Sequence, residues 1–217
     1  MRAIDACDRC LRRTNLIASL GGTIDVQWRT RGARSEVLGL PDPALLDLGP
    51  GDAPRLGYAG FNAVRARERI AGAGLTAVCR CSETYPERLR DLHDPPAILH
   101  VAGDARALAD TDAAAMVGAR RASPYGLEVA RGLGRALSSA GVPVVSGMAL
   151  GVDSAAHVGA LEGAAPTVAV LAGGADVPYP ASKRALYGRI LERGCVVSEL
   201  PPDFRACLLY TSDAADE

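Results

Sequence analysis

Three glycine-bearing runs follow short apolar stretches in the second half of the sequence, and most of the residues suited to chemistry sit there. Val117-Gly118-Ala119-Arg120-Arg121 comes first, and Ser146-Gly147-Met148-Ala149-Leu150-Gly151-Val152-Asp153 second. The third is Ala172-Gly173-Gly174-Ala175-Asp176-Val177-Pro178-Tyr179-Pro180, with Lys183 just beyond it. Glycine lets a ligand approach the backbone, and the free N–H groups at a helix start draw phosphate. An arginine beside such a turn can grip phosphate through two parallel hydrogen bonds. The three runs together describe a crevice for an anion, with phosphate the fitting chemistry.

Each residue also has a plainer reading. Taken singly, Gly118 and Gly173 need only mark tight turns between strand and helix. A charge at the mouth of a buried strand has few structural uses, so Arg120 is a binding candidate, whereas Arg121 reads as a solvated neighbour. Asp153 and His157 lie four apart, so they could brace each other on one helix face, and Asp153 could equally be a helix cap. Ser146 could donate to phosphate or cap the turn.

Catalytic signatures are missing around these runs. The sequence has no G-x-G-x-x-G after a strand, no G-x-x-x-x-G-K-[ST] and no G-x-S-x-G elbow, which argues against nicotinamide or flavin cofactors, Walker-type ATPases and serine hydrolases. Three histidines, His93, His100 and His157, are too few for a His-rich metal site. The expectation is phosphate donors without a general base, and no cofactor.

Cysteine spacing offers one further chemistry. Cys7-x-x-Cys10 and Cys79-x-Cys81 could jointly hold zinc if the N-terminal region folded back onto the later pair. C-x-C is not the common ligand spacing, so the favoured expectation is small buried or incidental thiols and no metal. Cys195 falls in an apolar run and reads as core.

The elements that must position the glycine runs are legible from the pattern around them. Apolar runs at 113–117, 142–145, 167–171 and 195–197 alternate with segments of helical period, which is a β/α alternation with four parallel strands buried between helix layers. The first linking helix has Ser123 as N-cap, Pro124 at its first position, Val129, Leu133 and Leu137 on one face, and Gly141 past its end. Further helices are expected over 153–161 and 182–192, with Gly163 and Gly194 as stops. Right-handed crossovers then give a doubly wound sheet, whose ligands bind beyond the C-terminal ends of its strands. In residues 1–75, segments 11–20 and 63–73 have helical spacing, while 32–60 reads as loop with short helical turns. The expected organisation is a mostly helical region over 1–75 and a Rossmann-like domain over 76–204.

Composition constrains the partner. The 217 residues carry 24 positive and 25 negative side chains, a net charge of −1, so a polyanion must be met by a local patch. Aromatics make up 4% of the chain, which disfavours a stacking platform for bases. Lys183 is the only lysine, and codon bias toward Arg accounts for the other 23 cations. No run approaches the roughly 18 apolar residues of a membrane span, and the first 22 residues carry charges where a signal peptide needs an apolar stretch. The expected setting is cytoplasmic, with reduced thiols and no membrane partner.

These residues resemble a known family. Tyr85-Pro86-Glu87-Arg88-Leu89, Asp94-Pro95-Pro96-Ala97-Ile98-Leu99-His100-Val101-Ala102-Gly103-Asp104, Met116-Val117-Gly118-Ala119-Arg120 and Tyr125-Gly126 occur in the order found in the DNA-processing protein A family, also called DprA or Smf. The second run through Asp153, then Ala156-His157, Thr167 to Leu171, Gly173 to Asp176, Tyr179-Pro180 and Ser198-Glu199-Leu200-Pro201 complete the set over about residues 85–203. The resemblance implies an extended Rossmann-like domain that binds single-stranded DNA with little sequence preference and helps load the RecA recombinase in natural transformation. It implies a binding protein rather than an enzyme. By motif position, Gly118 and Arg120 would meet one phosphate, Ser146, Gly147 and Gly151, with Asp153 in the same motif, another, and Lys183 would add a third contact.

Two departures stand out. Family members continue past the Ser-Glu-x-Pro motif into a Phe-Pro turn and an Arg-Asn-Arg helix, whereas residues 205–217 here look like a non-native tail on a truncated domain. The homodimer of the family is therefore doubtful for this chain. Leu150 stands where some members carry a basic residue. The competing class is a nucleotide-processing enzyme of the phosphoribohydrolase-like Rossmann group, but the segment Ala172-Gly173-Gly174-Ala175-Asp176 lacks the P-G-G-x-G-T-x-x-E motif and its catalytic carboxylate.

Overall fold

The computed structural model describes residues 4–31, 34–109 and 112–205, and divides the chain into two compact units. The first comprises Met1–His100 with Glu199–Pro201, and the second Val101–Ser198 with the chain from Pro202 on. The proposed non-native tail lies outside the described residues from 206 onward.

The first unit opens with β1 (Ile4–Asp5), α1 (Asp8–Ser19) and α2 (Gly21–Arg31), followed by short helices α3 (Arg34–Gly39), α4 (Asp42–Leu48) and α5 (Ala53–Ala59). Then come α6 (Ala63–Gly72), β2 (Thr76–Cys79), the single turn α7 (Glu87–Arg90) and β3 (Ile98–Gly103), which carries the chain into the second unit. The segment read as loop with helical turns is thus three short helices. Leu16 of α1, Leu20 at its C-cap, Ile24 of α2 and Leu45 of α4 form their core. Short helices need tertiary support, and Arg13 gives it: its guanidinium donates to Asp42 Oδ1 at 2.5 Å and to the carbonyls of Leu38 and Leu40 at 2.6 and 2.9 Å. Asn62 caps α6 by accepting from the Arg65 N–H at 3.0 Å. Strands β1 and β2 pair in parallel.

The second unit alternates β4 (Ala114–Ala115), α8 (Pro124–Ser139), β5 (Val144–Ser146), α9 (Val152–Ala160), β6 (Thr167–Val170), a 3-10 turn at Ala181–Lys183, α10 (Arg184–Arg193) and β7 (Cys195–Ser198). β4 pairs with β5, β5 with β6 and β6 with β7, all parallel. This is the Rossmann-like α/β arrangement expected from the punctuation. β7 is buried throughout and β6 at three of its four residues, whereas β4 is only partly covered. Ser123 accepts from the Gly126 N–H at 3.1 Å, and Gly141 takes a φ of +82° just past α8.

One expectation is corrected on α8. Val129 and Leu133 are exposed, and the buried face carries Ala130, Gly134 and Ser138, with Leu137 half-buried against Val144, Ala156 and Ala160. The cause is the closeness of α9. A Cβ on Gly134 would lie 2.4 Å from the Ala156 carbonyl oxygen, and one on Gly159 would lie 2.0 Å from that of Arg131. Two helices this near exclude the larger side chains that a hydrophobic face would supply. Among the described residues, no helix is long and apolar enough to cross a membrane.

Candidate functional site

The three glycine runs lie at the C-terminal ends of β4, β5 and β6, where a parallel α/β sheet collects ligands. The first two loops are knitted together. The Val152 N–H donates to the Ala119 carbonyl at 3.2 Å, and Gly151 takes a φ of +81° with its α-carbon pressed against the same segment. A Cβ there would fall 2.2 Å from Ala119 O and 2.6 Å from Arg120 O. Gly118 is constrained more mildly, by a side chain rather than backbone: a Cβ there would meet Val152 at 2.9 Å. These two glycines set how closely the loops approach, and so where the Arg120 backbone sits.

Within the second run the polar groups face one another. The Ser146 hydroxyl donates to the Met116 carbonyl at 2.6 Å, and Gly147 donates its N–H to Asp153 Oδ2 at 3.1 Å. Ser154 Oγ donates to Ala149 O at 2.5 Å, and Met148 is wholly buried at a φ of 56°. Ser146 and Asp153 are buried as well. The loop is therefore braced from inside by the groups that the glycine spacing marks as phosphate donors. Asp153 and His157 do not brace each other: His157 pairs instead through Nδ1 with Thr167 Oγ1 at 2.8 Å, and that hydroxyl donates to Val144 O at 2.8 Å. Burial pushes the His157 imidazole down to about 4, so it is neutral at physiological pH.

The third run is held in a similar way. Gly174 donates its N–H to Phe204 O at 2.7 Å, Asp176 accepts from the Asp203 N–H at 3.0 Å, and Tyr187 donates to Ala175 O at 2.8 Å.

What remains open is the space between the loops. Arg120, Gly151 and Lys183 line one cleft of about 730 Å³, together with Leu127, Glu128, Arg131 and Leu150. Arg120 and Lys183 are half-buried, and neither side chain has a hydrogen-bond or ion-pair partner among the described residues. Arg131 differs, because it is paired with Glu162. The cleft thus presents two uncommitted cations, one rigid and forked, one a flexible point charge. Gly118, Ser146, Gly147 and Asp153, in the same two loops, do not line it. Sequence reading missed Arg131, Leu127 and Glu128. Their one signal was position on the first two turns of the helix that follows the Arg120 loop.

Comparison with known proteins adds the family. The sequence model of the DNA recombination-mediator protein A family matches residues 76–207, more than half of the chain. The chain belongs to this family. A DprA relative from Mycobacterium tuberculosis is 46% identical over 119 residues, covering 54% of this chain and 31% of its own length. The DNA processing protein DprA of Bacillus subtilis is 31% identical over 130 residues, covering 60% of this chain and 44% of its own. The chain thus spans about a third to under half of the length of these curated relatives. Among solved structures, DprA from Streptococcus pneumoniae superposes with a TM-score of 0.68 at 22% identity, over 97% of this chain and 72% of that one. That likeness speaks to fold. DNA processing protein A from Helicobacter pylori, described for its single-stranded DNA binding mode, gives 0.54 at 30% identity, over 63% of this chain and 60% of that one.

Proposed function

We propose that this DprA-family chain binds single-stranded DNA through its phosphates, without base readout, as part of a recombination mediator that protects incoming strands and helps load RecA in natural transformation. The observation that carries this reading is the open cleft with Arg120 and Lys183 uncommitted at the strand ends. Cations held ready beside backbone turns suit a chain of phosphates, and phosphate contacts position a strand without reading its sequence. A net charge of −1 confines such binding to this local patch. Family membership and the single-stranded DNA binding of the Helicobacter pylori relative favour the same class. The reading is of a cytoplasmic binding protein rather than an enzyme.

The test is a salt-titrated binding assay on labelled oligo-dT and on duplex of equal length. Preference for the single strand is expected, with log K falling against log salt by about 0.7 per phosphate neutralised. Equal or tighter duplex binding would overturn the reading, as would release of free base from nucleoside monophosphates. The mediator part predicts faster RecA filament nucleation on the protein-coated oligonucleotide than on the protein-free one, and unchanged nucleation would remove it.

A further inference from the structure

Cys7, Cys10, Cys79 and Cys81 converge at one point of the first unit, their four sulfurs all within 4.8 Å of one another. We propose that these four cysteines form a structural zinc site, closed by four thiolates and independent of the DNA cleft.

The spacing between the sulfurs is that of ligands around an ion. Zinc–sulfur bonds of about 2.3 Å in a tetrahedron place neighbouring sulfurs about 3.8 Å apart. Cys10 and Cys81 stand 3.7 Å apart, and Cys7 and Cys79 3.9 Å. A disulfide would need about 2.05 Å, and all four cysteines are free.

Each pair is positioned by an element. Cys7 occupies the N-cap of α1 in an extended conformation with no side-chain capping bond, where Ser, Thr, Asp or Asn would normally stand. Cys10 follows in the first turn, so the two sulfurs share a side. β2 ends at Cys79, and a turn in which the Ser82 N–H donates to the Cys79 carbonyl at 2.8 Å returns Cys81 to the same side. The Cys81 N–H then donates to Cys79 Sγ at 3.4 Å. Arg9 donates to Cys81 Sγ at 3.6 Å, placing a cation beside a cluster whose charge would be −2 with zinc bound. Such outer contacts orient ligands and spread their charge.

Cys10 and Cys79 are buried while Cys7 and Cys81 reach solvent, which gives the ion a way in. Loading displaces one proton to solvent from each thiol that was protonated, so affinity falls as pH falls. Four protein ligands leave no open position, which makes the site structural. It would fasten the start of α1 to the end of β2 across about 70 residues of chain.

The experiment is metal analysis of the reduced, purified chain after equilibration with zinc, followed by cobalt substitution. The expected result is one zinc per chain, and for cobalt the intense visible bands of tetrahedral tetrathiolate coordination. Cys81→Ser removes an exposed ligand without emptying the core, and should lower affinity at least about tenfold against a competing chelator while shifting the cobalt bands toward three-sulfur coordination. Cys195, buried in the second unit and pushed up to about 12 by that burial, serves as the inert reference thiol. Negligible zinc after equilibration, iron in its place, or a cobalt spectrum indifferent to Cys81→Ser would each overturn the proposal. None of these outcomes bears on DNA affinity, so the site stands or falls separately from the cleft.

Discussion

Gly147 gives its backbone N–H to the Asp153 carboxylate at 3.1 Å, across the turn between β5 and α9. The acceptor is buried, and the bond ties the glycine loop to the first turn of α9. Removing a buried acceptor leaves the donor unsatisfied, at a cost of about 1–3 kcal/mol. Asp153→Ala should therefore lower stability in urea titration by that amount, and Asp153→Asn, which keeps an acceptor, by less. At equal folded fraction, the salt dependence of DNA binding should not change, because no cation is lost. Full stability in Asp153→Ala would remove the brace.

Arg120 and Lys183 share a cleft without internal partners, so their energy is available to a ligand. Arg120→Ala should weaken oligo-dT binding by about 1–3 kcal/mol, the loss of a charge-assisted contact. It should also flatten the salt slope by about 0.7 if one phosphate is released. Lys183→Ala should act in the same direction and Lys183→Arg should restore binding, since charge rather than fork geometry is what a flexible ammonium offers. Fluorescence anisotropy at three or more salt concentrations separates these outcomes, and indifference to all three substitutions would move the DNA elsewhere.

Much of this arrangement is visible in the sequence, because local rules act there. Ser123 and Pro124 start α8, Thr167 to Val170 and Cys195 to Ser198 are strands, and the position of Lys183 after the third run places it in the cleft with Arg120. What escaped is long-range. Hydropathy ranks Leu133 above Gly134, yet α9 approaches too closely for anything but glycine at that contact. Glycine runs announce free N–H groups, but Asp153 and Phe204 claim those of Gly147 and Gly174 only after folding. The four cysteines have an unremarkable C-x-C among them, and their convergence depends on how α1 meets β2.

The contact between α8 and α9 gives the sharpest stability test. Gly134→Ala gains up to about 1 kcal/mol of helix propensity but drives a methyl to 2.4 Å from the Ala156 carbonyl. Overpacking of this kind costs about 1–3 kcal/mol, and a backbone obstacle cannot rotate away, so net destabilisation is expected. Leu133→Gln, on the exposed face, should stay within about 0.5 kcal/mol of the parent. Urea midpoints compare the two directly. The reverse ranking would restore the face implied by hydropathy.

His157 supplies a pH signature. It is completely buried beside Thr167, and desolvation pushes its folded-state value down to about 4. An unfolded chain takes up that proton near pH 6.5, so between about 6.5 and 4 the unfolded state binds more protons than the folded one. Stability must then fall as pH drops through this window and level off below it, by about 3 kcal/mol in total from this group. Above pH 7 the contribution is constant. Carboxylates that titrate lower down, such as Glu162 held below its usual range by Arg131, add their losses mostly under pH 5. The His157 share is therefore cleanest between 6.5 and 5. Asn at this position can keep a donor toward Thr167 without titrating. His157→Asn should remove most of the slope in that interval of a urea-midpoint series, even if it lowers stability overall, and a slope that survives the substitution would assign it to another group.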